Sequence, residues 1–165
     1  MLKDIDFLID TVLALPDSPS AWQLQKLQSM STWVHGRLTG ATSKAPTSSA
    51  DKHLHRAVRL ASLVYCRAIQ SRQCFSVMME EKDVIELGEA ITEVPLETWR
   101  TTLGTLVLLL AVTAPTAKTS VPCYPTRIMF ITAAVQLALT DWSAAAKTLG
   151  RVVKLQAWLR GMPPE

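Results

Sequence analysis

Apolar side chains recur along this chain at the three- and four-residue steps of an α-helix, and almost nowhere in the two-residue alternation of a half-buried strand. Ile5, Leu8, Ile9 and Val12 predict a short first helix that Pro16 closes. Ser18 and Pro19 then supply a hydroxyl cap and a proline whose missing N–H costs nothing at a first helical position. A second helix is expected over about 20–38, with Leu24, Leu27, Met30 and Val34 as its buried stripe and Gly40 just past its end. A third is expected over about 52–71 and a fourth over about 81–92. Pro95 opens a fifth, which carries Leu96, Trp99, Leu103, Leu106 and Leu110 in helical register. Its second half is apolar all round, so other helices must surround it. Ile128, Ile131, Val135 and Leu139 form the stripe of a sixth helix over about 126–139. Asp141 is placed to cap a seventh, whose stripe is Ala145, Leu149, Val152 and Val153. The expected class is all-α: a single-domain bundle of about seven helices around a central apolar helix at about 95–113.

Small residues, hydroxyls and proline dominate from Gly40 to Asp51, which predicts a flexible surface loop. It separates an N-terminal helix pair (1–39) from a helical core (52–160). A pair that small would struggle to fold alone, so one domain over 1–165 is expected. Pro115, Pro122 and Pro125 are expected to hold the stretch from Thr113 to Pro125 out of helix.

Composition adjusts this picture only slightly. Apolar residues make up 48% of the 165 and charged residues 19%. That leanness in charge leaves room for a self-associating or ligand-lined surface, although an ordinary large core accounts for it too. The net charge of +3 is modest for a nucleic-acid domain. Its one basic concentration is Lys52, Arg56, Arg59, Arg67 and Arg72. The first four lie across the third helix from Leu54, Val58, Ala61 and Tyr65, as a solvated outer face would. Cys66, Cys74 and Cys123 lack CxxC spacing and read as reduced thiols. Asp4, Asp6 and Asp10 interrupt what would have to be a basic, then apolar, leader. An intracellular setting, cytoplasm or nucleus, is therefore expected. Leu103 to Ala114 is the longest apolar run, well short of the roughly 20 residues a membrane span takes, so no insertion is expected.

Several segments occur in a telling order: Leu60-Ala-Ser-Leu-Val-Tyr65, Val84 to Trp99, and Leu106 to Ala111. Arg127-Ile-Met-Phe130 and Leu139-Thr-Asp-Trp142 follow, with Leu149 and Trp158 after them. The order resembles the fungal-specific transcription-factor domain, the regulatory middle-homology region of zinc-cluster regulators, over about residues 54–160. That resemblance implies a helical regulatory module, in that family often placed near genes of specialised metabolism. The family's DNA-contacting module needs a six-cysteine cluster, and the three scattered cysteines here do not make one, so sequence-specific DNA binding is not expected. The glycine that often closes the family's apolar helix is replaced by Ala111 to Pro115. No binding residues carry over, because ligands are poorly defined across the family.

Candidate chemistry is sparse. The chain has no GxSxG, no phosphate-binding glycine loop, no HExxH and no DxDxDG, so neither a cofactor nor a metal is expected. His53 and His55 would point to different sides of a helix, and Asp51 suits a helix cap better than a ligand set. Glu80-Glu81 reads as a charge pair at a helix start, and Cys66 as a buried small hydrophobe. The proline loop is the best candidate site. There Cys123, Tyr124 and Arg127 stand at the entry to the sixth helix, and Arg127 opposes the helix dipole, so it needs a partner: Asp141, Glu97 or a ligand acid. Trp99, Trp142 and Trp22 could line an adjacent apolar cavity or simply pack the core. Gln156 falls inside an apolar stripe and must find a hydrogen bond, whether from protein or from ligand. Trp158 lies among Lys147, Arg151 and Lys154 and suits an exposed contact.

Two functions fit. One is a binding module for a protein partner or an apolar small molecule, with homo-oligomers among the outcomes. The other is a small cofactor-independent cyclase, isomerase or dehydratase of a natural-product pathway, using Tyr124, Arg127, His35 and Asp141 as polar donors and requiring an enclosed cavity. Nucleic-acid binding through the basic helix ranks below both.

Overall fold

The computed structural model describes residues 2–40, 49–113 and 124–161, and is all-α. The described residues form nine helices and no strand: α1 (Leu2–Leu13), α2 (Ala21–Gly40), α3 (Ser49–Ser71), α4 (Phe75–Met78), α5 (Glu81–Thr92), α6 (Leu96–Thr101), α7 (Leu103–Thr113), α8 (Tyr124–Thr140) and α9 (Trp142–Leu159). Buried residues from Ile5 to Leu159 form one main hydrophobic core, and Leu108, Ala111 and Val152 form a small second cluster. The stripe of α1 is buried as its spacing dictates, and α5 spans the expected residues. Residues 41–48 and 114–123, which hold most of both expected loops, lie outside the described residues.

Local chemistry explains where the elements depart from the expected boundaries. α2 starts at Ala21, after a reciprocal cap. Ser20 N–H donates to Gln23 Oε1 (2.8 Å), and Gln23 N–H donates to Ser20 Oγ (3.3 Å). This capping box satisfies two orphan donors at once and so prevails over Ser18–Pro19. Asp51 lies in the first turn of α3 and not at its cap. At the other end Arg72 takes φ 51°, and Gln73 N–H reaches back to Ala68 O (3.2 Å), closing α3 in a Schellman turn. A one-turn helix, α4, follows and sets Phe75 edge-on to Tyr65, 5.1 Å between ring centroids. Pro125 is not outside α8 but in its first turn, where its missing N–H is harmless.

The single helix expected over 95–113 is two. Thr102 breaks it at φ −130°, ψ 36°. The hydroxyls of Thr101 and Thr102 both bond Thr98 O (2.9 and 2.7 Å), a local alternative to the helical ladder. Burial divides at the break: every residue from Leu106 to Thr113 is buried, whereas Leu96, Glu97, Arg100 and Thr101 are exposed.

α7 packs against α3, α4, α6, α8 and α9, and α3 against α1, α2, α4, α5 and α7. Polar pins fix these seams. Tyr65 donates its buried hydroxyl to Leu108 O (2.8 Å), joining α3 to α7. Ser31 donates to Cys66 O (3.0 Å), and Arg59 Nε to Leu38 O (3.0 Å), joining α2 to α3. Arg151 of α9 holds α1 through Asp6 Oδ1 (2.8 Å), Asp6 O (3.1 Å) and Asp10 Oδ1 (2.8 Å).

Removing the Tyr65 hydroxyl strands a buried polar contact while keeping the ring. Tyr65→Phe should cost about 1 kcal/mol and lower Tm by roughly 2–4 °C for a chain of this size. Calorimetry checks this, and an unchanged Tm would mean that the α3–α7 pin carries no load.

Candidate functional site

Among the described residues, an apolar concavity lies where α6 and α7 face α8. Leu96, Trp99, Arg100, Leu103 and Leu106 form one wall. Ile128, Met129, Thr132, Ala133 and Gln136 form the other, around a groove of about 430 Å³. Its floor is firm: Trp99 is 3% exposed and donates Nε1–H to Ile91 O (3.1 Å). At the break at Thr102 the wall passes from α7 to α6, where exposed Leu96 and Arg100 form its rim. Arg100, Thr132 and Gln136 are its polar groups, and none of them is a general acid or base near neutral pH.

The phase of α8 reverses the expected one. Ile128, Ile131, Val135 and Leu139, expected to be buried, are 46%, 61%, 53% and 83% exposed. Ala133 and Leu137 are buried in their place, with Met129, Phe130, Ala134 and Ala138 packed beside them. Periodicity could not choose between the faces, since α8 is apolar on nearly every side. Close approach decided it. The alanines let the α8 backbone lie near the bulky leucines of α7, which β-branched side chains would hold off. On α9, likewise, Val153 is exposed, and Leu155 and Leu159 join Ala145 and Val152 in the core.

The residues singled out from sequence do not gather in one place. Among them Trp99 lines the groove. Trp142 and Trp22 are exposed, the latter beneath the Lys26 ammonium at 5.2 Å. Arg127 is exposed near the start of α8. Asp141, at the other end, caps α9 by accepting from Ala144 N–H (2.9 Å). Tyr124 begins α8, but its side chain, like the whole of Cys123, lies outside the described residues. Gln156 finds a protein partner, donating to Ala111 O at a long 3.5 Å. Trp158 is half-buried and not the exposed contact expected. The Arg72 guanidinium lies 5.2 Å from its ring centre, and its Nε1 has no hydrogen-bond partner among the described residues.

His35 borders a smaller pocket of about 220 Å³ between α3 and α5, together with Arg67, Asp83 and Glu86. Its charge is already matched, because Arg67 and Asp83 pair at 2.8 Å. Elsewhere on the basic helix one carboxylate serves two partners. Arg56 pairs with Glu93 (2.8 Å), and His53 Nδ1 lies 3.2 Å from the same carboxylate. Hydrogen bonds from His53 and then Arg56 hold the Glu93 carboxyl below the ordinary range. Among the described residues no group of three or more His, Cys, Asp or Glu is placed to hold a metal, and no helix is long and apolar enough to cross a membrane.

No protein family, curated protein or solved structure matches this chain.

Cys66 is fully buried at the α2–α3 seam. Burial pushes its thiol up to about 11, against a smaller pull from Ser31. Iodoacetamide labelling of the folded chain, mapped by mass spectrometry, should therefore modify half-exposed Cys74 and spare Cys66. Equal labelling would reveal an open seam. Because the folded thiol ionises later than the unfolded one at about 9.0, its contribution to stability is complete below that pH and is lost as pH rises through about 11. The stability difference between wild type and Cys66→Ala should shrink over that window.

Proposed function

We propose that this chain is a helical regulatory module that binds an apolar small molecule in the groove between α6, α7 and α8. One observation carries the reading: a concavity of about 430 Å³, within the size range of ligand pockets, with apolar walls and only Arg100, Thr132 and Gln136 as polar groups. Such a lining selects for shape and apolar surface, and Arg100 at the rim favours a ligand with an acidic end. The likeness to the fungal regulator domain points the same way. Of the residues that carry it, Trp99 and Leu106 lie on one wall, and Ile128 and Met129, between Arg127 and Phe130, lie on the other. A pathway metabolite sensed by a regulator of specialised metabolism is the natural ligand class on this reading.

The enzyme alternative draws less support. It asks for proton donors gathered around one enclosed space, whereas His35 lies beside α3 and α5, and Arg127 and Asp141 stand at opposite ends of α8.

N-phenyl-1-naphthylamine, a neutral apolar dye, tests the groove directly. Wild type should enhance its fluorescence saturably. Ala133→Phe, which fills the groove from its wall, should remove that enhancement. Arg100→Gln should leave the neutral dye unaffected while weakening the anionic 1-anilinonaphthalene-8-sulfonate several-fold. Dye binding that Ala133→Phe leaves intact, in a variant that melts like wild type, would overturn the assignment.

A further inference from the structure

The polar side chains that line the groove between α6, α7 and α8 are not spent inside the fold. Arg100, Thr132 and Gln136 are exposed, and among the described residues their side chains make no hydrogen bond or ion pair. Other helical threonines of this chain behave differently. Thr11, Thr32 and Thr140 turn their hydroxyls onto the carbonyl four residues back, at 2.7, 2.9 and 2.9 Å. Thr132 makes no such bond to Ile128. Trp99 adds nothing polar to the groove, because its N–H is committed to Ile91 O.

We infer that the groove takes an apolar carboxylic acid with an oxygen function partway along its body, a hydroxy- or oxo-acid. Arg100 meets the carboxylate, and Thr132 and Gln136 meet the inner oxygen. This rests on the groove being the binding site, and it states what the ligand must carry beyond an acidic end.

Desolvation makes the α8 pair selective. In the free chain water satisfies the Thr132 hydroxyl and the Gln136 amide. A ligand that fills the groove displaces that water, and a plain hydrocarbon body would leave both groups covered and unpaired. An oxygen on the ligand avoids that loss. Both side chains donate and accept, so a hydroxyl and a ketone serve equally. Position tells where the oxygen falls. The α8 wall runs from Ile128 to Gln136, with Thr132 at its middle and Gln136 one turn, about 6 Å, further on. The polar rung therefore faces the body of the ligand and not only its end. Across from it Leu103 and Leu106 of α7 present hydrocarbon alone. Among the described residues no acidic side chain lines the groove to repel a carboxylate, and Arg100 offers one a charge-assisted bond.

Calorimetric titration of the full chain with decanoate and with its 3-, 5- and 7-hydroxy derivatives tests this. At least one hydroxy acid should bind about tenfold more tightly than decanoate, although the hydroxyl makes it less apolar. Thr132→Val with Gln136→Leu, both at exposed positions, should melt like wild type and reverse that order in favour of decanoate. Arg100→Gln should weaken all four acids alike and keep their order. The inference is overturned if wild type prefers decanoate, if the Thr132→Val/Gln136→Leu variant keeps the wild-type order, or if none of the acids binds. In each of these cases N-phenyl-1-naphthylamine binding that Ala133→Phe abolishes would leave the groove itself standing. Loss of the dye signal as well would remove the groove and this inference together.

Discussion

A helix buried on every side cannot hand its last carbonyls to water, and α7 is such a helix. The four carbonyls at a helix C-terminus have no intrahelical partner, and in an apolar interior each unmet one costs on the order of 1–3 kcal/mol. Three side chains bond carbonyls in the last two turns of α7. Thr113 bonds Leu110 O (2.9 Å), Gln156 reaches Ala111 O from α9, and Tyr65 from α3 adds a bond to Leu108 O. The Gln156 contact has a sequence-level reason: the residue four beyond Ala111 is Pro115, which has no N–H to offer. Gln156 thus turns one face of α9 toward this helix end, and Tyr65 ties α3 to the turn before it.

The same logic runs outward from α3. Its own buried face is small or apolar (Ala57, Ala61, Val64, Ala68), so neighbours approach closely and the few polar atoms at the seams must be matched. Arg59 meets Leu38 O, one of the last carbonyls of α2, and Ser31 meets Cys66 O. The fold is held by apolar area and positioned by a handful of side chain-to-backbone bonds. Its ion pairs are mostly at the surface, where such pairs contribute little. Arg72 shows the cost of one compromise. A non-glycine residue in the left-handed region is strained, and its guanidinium is positioned over Trp158.

Much of this arrangement was legible in the chain, and the exceptions share a cause. Amphipathic helices with a distinct polar side, α1 and α5, fell where their spacing put them, and Asp141 caps α9 as its side chain suggests. Where a segment is apolar all round, periodicity has no information to give. Hence α8 was placed with the wrong face inward, and the alanines that mark its true packing face were overlooked in favour of bulkier neighbours. The break at Thr102 and the Ser20–Gln23 cap were written in hydroxyl and amide chemistry, not in hydrophobic pattern. For the groove, Leu96, Trp99, Leu103 and Leu106 were recognised as one face of a helix, but their opening toward α8 depends on a kink that hydrophobic spacing does not encode.

The Arg151 grip on Asp6 and Asp10 carries a consequence for biosynthesis. The guanidinium that secures α1 is synthesised 145 residues after Asp6. Until then the nascent chain lacks the α9 side of the seat that α1 shares with α2 and α3. A stalled or truncated product lacking α9 would therefore leave the α9-facing side of α1 open to chaperones and proteases.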